Sequence, residues 1–133
     1  MRSCKNRTIA GPESADQIEQ LSERLMLEGK VPKLRKDAVR GIEIVFSLPP
    51  VSAIDNAAFF ADSLEWSRQY FKAPVLSAVI HNDEAAPHCH VLLLPLIDGR
   101  MVGSDLMGGR KRLQDIQISF FEQVGGRYGL VRP

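Results

Sequence analysis

The stretch His81-Asn82-Asp83-Glu84-Ala85-Ala86-Pro87-His88-Cys89-His90 contains all three histidines of this 133-residue chain. It lies between two apolar runs, residues 75–80 and 91–96, whose β-branched and aliphatic composition is typical of strands. The polar residues 82–87 between the runs predict the turn of a β-hairpin. The fold is therefore expected to be built around this hairpin.

The hairpin geometry predicts where the histidines point. With residues 82–87 in the turn, His81 stands opposite His88, and opposed side chains share one face with Cβ atoms roughly 5 Å apart. His90 returns to the same face because side chains alternate along a strand. Glu84, in the turn, brings a carboxylate close to them. Three imidazoles are thus predicted to converge on a rigid support.

Such a cluster has the chemistry of a metal site. Imidazole nitrogen suits divalent transition metals, and three histidine ligands leave at least one position open for water or substrate. Zinc proteases that bind metal from a helix space two histidines by four residues, whereas the spacing of two between His88 and His90 fits a strand. We expect a metal centre of His81, His88 and His90. The alternative is a solvated hairpin end with ordinary surface histidines.

Composition restricts the class of protein. Hydrophobic residues make up 44% and charged residues 25% of the chain, which indicates one globular domain rather than a disordered segment. The net charge of +1 does not by itself indicate a nucleic-acid binder, so any DNA site must be local. No apolar run approaches the ~20 residues of a membrane span and no signal peptide is recognised, so a cytoplasmic protein is expected.

The two cysteines, Cys4 and Cys89, are too few for a disulfide framework. Strand alternation places Cys89 on the face opposite the histidines, where we expect it to be a small core residue. Another strand is predicted over residues 41–48, with Glu43 and Ser47 on its polar face. That face is a candidate for the active-site side of the sheet.

Helices are predicted over residues 14–28, 55–71 and 110–124, with Ser14 and Asp55 as N-caps. The aromatic stripe of the second helix is expected in the core. Residues 1–12 predict a loose basic tail, with an arm on nucleic acid as the alternative. The expected fold class is α+β, an antiparallel sheet with helices on one face.

Two basic segments are candidate DNA contacts. Residues 30–40 form the densest positive stretch, and beside a phosphate-handling metal such residues contact the DNA backbone. The start of the last helix combines three cations with backbone N–H groups that attract phosphate. Ordinary solvated surface is the alternative for both. The predicted DNA-binding residues are Lys33, Arg35, Lys36, Arg40, Arg110, Lys111 and Arg112.

The pattern His-x-Asp-Glu-x-x-Pro-His-x-His, entered from one strand and followed by another, resembles the metal motif of the plasmid mobilisation/recombination (Mob/Pre) relaxases. These belong to the HUH class of single-strand nicking enzymes, in which two histidines flank one hydrophobic residue, here His88-Cys89-His90. The resemblance covers most of the chain from about residue 30 onward. Weaker similarities lie at residues 33–40, 98–100, 108–110, 114–117 and 128–132.

The resemblance implies the ferredoxin-like sheet of HUH nucleases. It also implies metal-dependent nicking of single-stranded DNA, with strand transfer, at a plasmid transfer origin during mobilisation or recombination. The implied metal is Mn²⁺, with Mg²⁺ and Zn²⁺ as alternatives. Glu84 is the predicted catalytic residue, which either completes the coordination or orients a histidine.

The chain departs from the family at the nucleophile. The family carries a histidine or tyrosine near its N-terminus, but here no histidine precedes His81 and no tyrosine precedes Tyr70. We therefore expect residues 1–133 to be a single relaxase-like domain lacking the upstream nucleophile segment, and the nucleophile is unknown.

Two alternatives differ in class. One is a catalytically incomplete DNA-binding remnant of a relaxase. The other is a small metal-dependent hydrolase with Glu84 as general base on metal-bound water, which predicts a deep apolar pocket.

Overall fold

The computed structural model describes residues 6–32, 34, 39–49, 53–82 and 86–130. Its elements confirm the predicted helices to within a residue, and they confirm the central hairpin, whose second strand ends at Leu93 and not at residue 96. In chain order they are β1 (Asn6–Ala10), α1 (Ala15–Glu28), β2 (Ile42–Ser47), α2 (Asn56–Phe71), β3 (Val75–His81), β4 (His88–Leu93), β5 (Leu96–Ile97), β6 (Arg100–Met101), α3 (Gly103–Met107), α4 (Arg110–Gln123) and a 3₁₀ helix (Gly125–Tyr128).

The main sheet has four strands in the order β1-β3-β4-β2, and every neighbouring pair is antiparallel. The central pair is the predicted hairpin, and its register places His81 opposite His88. The strands β5 and β6 pair separately. The predicted α+β class, an antiparallel sheet packed with helices, is confirmed.

The expectation of a loose tail is wrong for residues 6–10. These residues form β1, which pairs with β3 from Asn6 opposite His81 to Ala10 opposite Ala78. Without β1, the backbone N–H and C=O groups along the outer edge of β3 would have no partners in the sheet. Local composition did not reveal the strand because its pairing partner lies about 70 residues away in the sequence.

The core lies between one sheet face and the layer formed by α2 and α4. Cys89, Val91 and Leu93 of β4 are each 0% exposed on this face. The Phe120 ring of α4 lies 5.2 Å, between centroids, from the rings of both Phe46 and Trp66. Four aromatic residues of α2 are buried in this core, as predicted for the aromatic stripe: Phe59, Phe60, Trp66 and Phe71.

The helix starts also follow local sequence rules. Ser14 Oγ accepts a hydrogen bond of 3.1 Å from the Gln17 backbone N–H, and Asp55 Oδ1 accepts one of 3.2 Å from that of Ala58. Each bond satisfies a helix N–H group that has no partner within the helix. Among the described residues, no helix is both long and apolar enough to span a membrane.

Candidate metal centre

The three histidines lie together on the sheet face that points away from the α2–α4 core. The ring centroids of His81 and His90 are 4.5 Å apart, and those of His88 and His90 are 6.4 Å apart. The intervening Cys89 is fully buried on the other face, as strand alternation requires. The predicted position of the three imidazoles on one sheet face is confirmed.

The strand β2 adds two polar side chains to the histidine face. Ser47 stands opposite His88 in the register, and its Oγ lies 3.0 Å from His88 Nδ1. Glu43 Oε2 lies 3.5 Å from His90 Nδ1. The sequence placed both residues on one polar strand face, and the structure shows that this face adjoins the histidines.

Imidazole is a donor type that divalent transition metals bind. Three imidazoles are anchored on adjacent, hydrogen-bonded strands, so the backbone already holds their Cβ atoms on one side of the sheet. Within the described part of the chain, no group of three such donor side chains stands at coordinating distance. The planes of the His81 and His90 rings are inclined by 52° to each other. The distances between the ring nitrogens depend on the side-chain torsion angles.

The predicted catalytic residue Glu84 lies outside the described residues, and so do Lys33, Arg35 and Lys36. Their roles remain predictions. Arg40 is described and exposed. Arg40 precedes the first residue of β2, whereas Ser47 at the other end of β2 pairs with His88. The strand is about 17 Å long, so Arg40 is not adjacent to the histidines.

The basic start of α4 is separate from the histidine cluster, because α4 packs on the opposite face of the sheet. Arg110 and Lys111 are exposed, and Lys111 Nζ lies 3.8 Å from Asp115 Oδ1. Arg112 is partly buried: its Nε donates to the Leu106 carbonyl at 2.9 Å and one terminal nitrogen donates to Tyr70 Oη at 3.2 Å.

Both tyrosines of the chain belong to the helical layer. Tyr70 stacks on Trp66 with 5.2 Å between ring centroids, beneath the Arg112 guanidinium. Tyr128 packs against Phe59 and donates a 2.5 Å hydrogen bond to Asp62 Oδ2. That hydrogen bond, followed by burial, raises the pKa of Tyr128 above 10.0. Neither hydroxyl lies on the histidine face.

A predominantly apolar cleft of about 360 Å³ lies between β2 and α4. Phe46, Trp66 and Phe120 contribute to its walls, and no histidine lines it. The hydrolase alternative predicted a deep apolar pocket at the metal. Among the described residues, this cleft is not a pocket at the histidines, because no histidine lines it.

The fold and the site together define an HUH-class protein, with a His-x-His pair on the central strand of an antiparallel sheet and a third histidine on its hairpin partner. The family model for the plasmid recombination enzymes (Mob_Pre) matches residues 2–132. This chain belongs to that family, which confirms the resemblance seen in the sequence.

The chain is 35% identical over 99 residues to the plasmid recombination enzyme type 1 of Staphylococcus aureus, covering 69% of this chain and 25% of that protein. It thus spans about a quarter of the length of the curated relatives it matches.

Two solved structures of the MobM relaxase domain share the fold. One, manganese-bound with 22-nucleotide pMV158 oriT DNA, has a TM-score of 0.85 at 23% identity, covering 99% of this chain and 74% of that one. The other, bound to 26-nucleotide oriT DNA, has a TM-score of 0.82 at 21% identity, covering 96% and 78%.

Proposed function

We propose that this chain is a relaxase domain that nicks single-stranded DNA and transfers the strand at a plasmid transfer origin, in mobilisation or recombination. Residues 1–133 would form this one domain. The observation that carries the proposal is the grouping of His81, His88 and His90 on one sheet face in a member of the plasmid recombination enzyme family. Its place of action would be the cytoplasm, where plasmid DNA resides.

The proposed metal is Mn²⁺, held by the three histidines. Support comes from the imidazole donor set and from the manganese-bound structures of similar fold. When bound, the ion would act as a Lewis acid on the scissile phosphate. Glu84 would complete the coordination or orient a histidine. The carboxylate of Glu43 and the hydroxyl of Ser47 would hold the His90 and His88 rings in place.

The proposed substrate strand would lie along the histidine face of the sheet. Strand transfer requires a nucleophile that forms a bond to phosphorus while the bond from phosphorus to the leaving oxygen breaks. We propose neither Tyr70 nor Tyr128 for this role, because both hydroxyls are engaged in the helical layer. Lys33, Arg35, Lys36 and Arg40 would contact the backbone of the strand.

The first test is a calorimetric titration of Mn²⁺ into the metal-stripped chain and into His88→Ala. We expect one site in the intact chain and a loss of at least tenfold in affinity in the variant. Leu27→Ala, an exposed change on α1, is the control and should bind like the intact chain. Absence of binding in the intact chain would refute the metal centre.

The second test measures binding and cleavage of a labelled 26-nucleotide pMV158 oriT strand, with a scrambled strand as control. Because no residue of the chain is assigned as the nucleophile, the relaxase proposal predicts that EDTA and His88→Ala both weaken binding of the strand, with little cleavage by the chain alone. If DNA binds equally well in the presence of EDTA and in His88→Ala, the chain is a DNA-binding remnant instead.

A further inference from the structure

We propose that Glu43 and Ser47 are positioning residues of the metal centre, which assign the Nε2 atoms of His90 and His88 as the ligating nitrogens. The inference rests on the proposed metal-binding function and extends it from the ligands to the strand beside them. It derives from two contacts made by β2, the edge strand next to β4.

The first contact is between directly opposed residues. Ser47 and His88 pair across β2 and β4, and Ser47 Oγ lies 3.0 Å from His88 Nδ1. Opposed side chains on neighbouring strands have Cβ atoms roughly 5 Å apart, so a serine is long enough to reach the near side of the ring. The hydroxyl can accept a hydrogen bond from Nδ1–H or donate one to Nδ1, depending on the tautomer of the ring, and either bond limits rotation of the imidazole.

The second contact is diagonal. His90 pairs with Val45, and Glu43 lies two residues before Val45 on the same strand face. The longer glutamate side chain spans this offset and brings Oε2 to 3.5 Å from His90 Nδ1. Both side chains remain partly exposed, at 34% for His90 and 56% for Glu43. Solvent screens the Coulomb energy there, so orientation of the ring is the main effect.

The consequence follows from imidazole chemistry. A neutral imidazole carries one proton, and a metal binds the nitrogen that lacks it. A partner that accepts a hydrogen bond from Nδ1–H therefore selects the tautomer whose Nε2 donates to the metal. A carboxylate only accepts, so Glu43, whose Oε2 lies 3.5 Å from Nδ1, would favour this tautomer of His90. The Ser47 hydroxyl can donate or accept, so at His88 it would hold Nδ1 in contact and leave Nε2 for the metal.

Metal affinity provides the first measurement. Calorimetric titrations of Mn²⁺ and of Zn²⁺ would compare the intact chain with Ser47→Ala and Glu43→Ala. Losses of roughly 10- to 100-fold are expected for removal of such partners. Ser47→Thr, which keeps the hydroxyl, and Glu43→Gln, which keeps an acceptor oxygen, should recover part of the affinity. Val45→Ala, on the same strand face between them, is the matched control. Changes within twofold, or an equal loss in Val45→Ala, would overturn the inference.

Histidine ¹⁵N NMR provides a second measurement that a general loss of stability would not reproduce. In the Zn²⁺-loaded chain, both rings should show a protonated Nδ1 and a zinc-bound Nε2. Ser47→Ala should alter the His88 signals alone, and Glu43→Ala those of His90 alone. Metal binding through Nδ1 of either ring would contradict the assignment.

The two proposals can fail separately. If the intact chain binds metal and the β2 variants match Val45→Ala, the metal centre stands and the positioning role is wrong. If the intact chain binds no metal, the proposed function fails, and the metal-free NMR spectra then decide the role. A selective change of the His88 signals in Ser47→Ala would support the positioning role of Ser47, whereas unchanged spectra would exclude that role.

Discussion

Cys89 and His90 are neighbours in the chain but lie on opposite faces of the sheet: the thiol is 0% exposed in the core, whereas the imidazole reaches the histidine face. One dipeptide thus contributes to both the packed core and the candidate metal centre. The thiol is excluded from the metal centre by strand alternation.

Burial raises the pKa of the Cys89 thiol from 9.0 to about 11. Because the folded pKa lies above the unfolded value, this stabilising contribution is fully present below pH 9 and is lost as pH rises through about 11. The difference in unfolding free energy between the intact chain and Cys89→Ala should therefore shrink by about 2–3 kcal/mol between pH 8 and pH 11. Urea denaturation at both pH values measures it.

The same burial predicts slow chemistry at Cys89. In a Cys4→Ser chain, Cys89 should react with a thiol reagent at neutral pH only after denaturant is added, because the thiolate is the reactive form. Rapid labelling of the native chain would show that the thiol is accessible.

Phe120 should contribute more to stability than an exposed apolar residue of similar helical context. Its ring contacts those of Phe46, Phe59 and Trp66, which ties α4 to both the sheet and α2. Phe120→Ala is expected to lower the free energy of unfolding by about 3 kcal/mol. Leu27→Ala, with the leucine 79% exposed, should cost less than about 0.5 kcal/mol. Equal effects of the two changes in thermal denaturation would contradict this packing.

Gly11 should tolerate alanine less well than Gly129. Both have positive φ angles, +78° and +76°, so alanine meets similar backbone strain of roughly 1–2 kcal/mol at each. At Gly11 a Cβ atom would also lie 2.1 Å from the Leu76 carbonyl oxygen, whereas at Gly129 it would meet no atom of the described residues within 4 Å beyond its chain neighbours.

The steric term should make Gly11→Ala more destabilising than Gly129→Ala by about 1–3 kcal/mol, and chemical denaturation compares the two directly. Indistinguishable midpoints would mean that the turn after β1 does not approach β3 as closely as described.

Arg112 and Arg110 provide a test of the predicted DNA contacts on α4. The Arg112 guanidinium donates to Leu106 and Tyr70, so Arg112→Gln should lower the free energy of unfolding by about 1–3 kcal/mol. Exposed Arg110 should tolerate the same change with little loss. If Arg112→Gln instead keeps full stability and weakens DNA binding, as measured by anisotropy, the arginine acts on DNA.

Much of the site could be predicted from the sequence because the hairpin is local. The spacing of His81, His88 and His90 determines their shared face once the turn is placed, since side chains alternate with a period of two. Helix starts at Ser14 and Asp55 were equally local, because an N-cap bonds to an N–H group only three residues away.

The tertiary structure decided what depends on distant pairing. That β1 joins the sheet, and that β2 brings Ser47 and Glu43 to the histidines, follows from strand order, which no local pattern encodes. The same holds for the contact of Arg112 with Tyr70, which its charge in the sequence did not indicate. Alternation along one strand determines which residues share a face, whereas contacts across the sheet and between layers determine which neighbours that face meets.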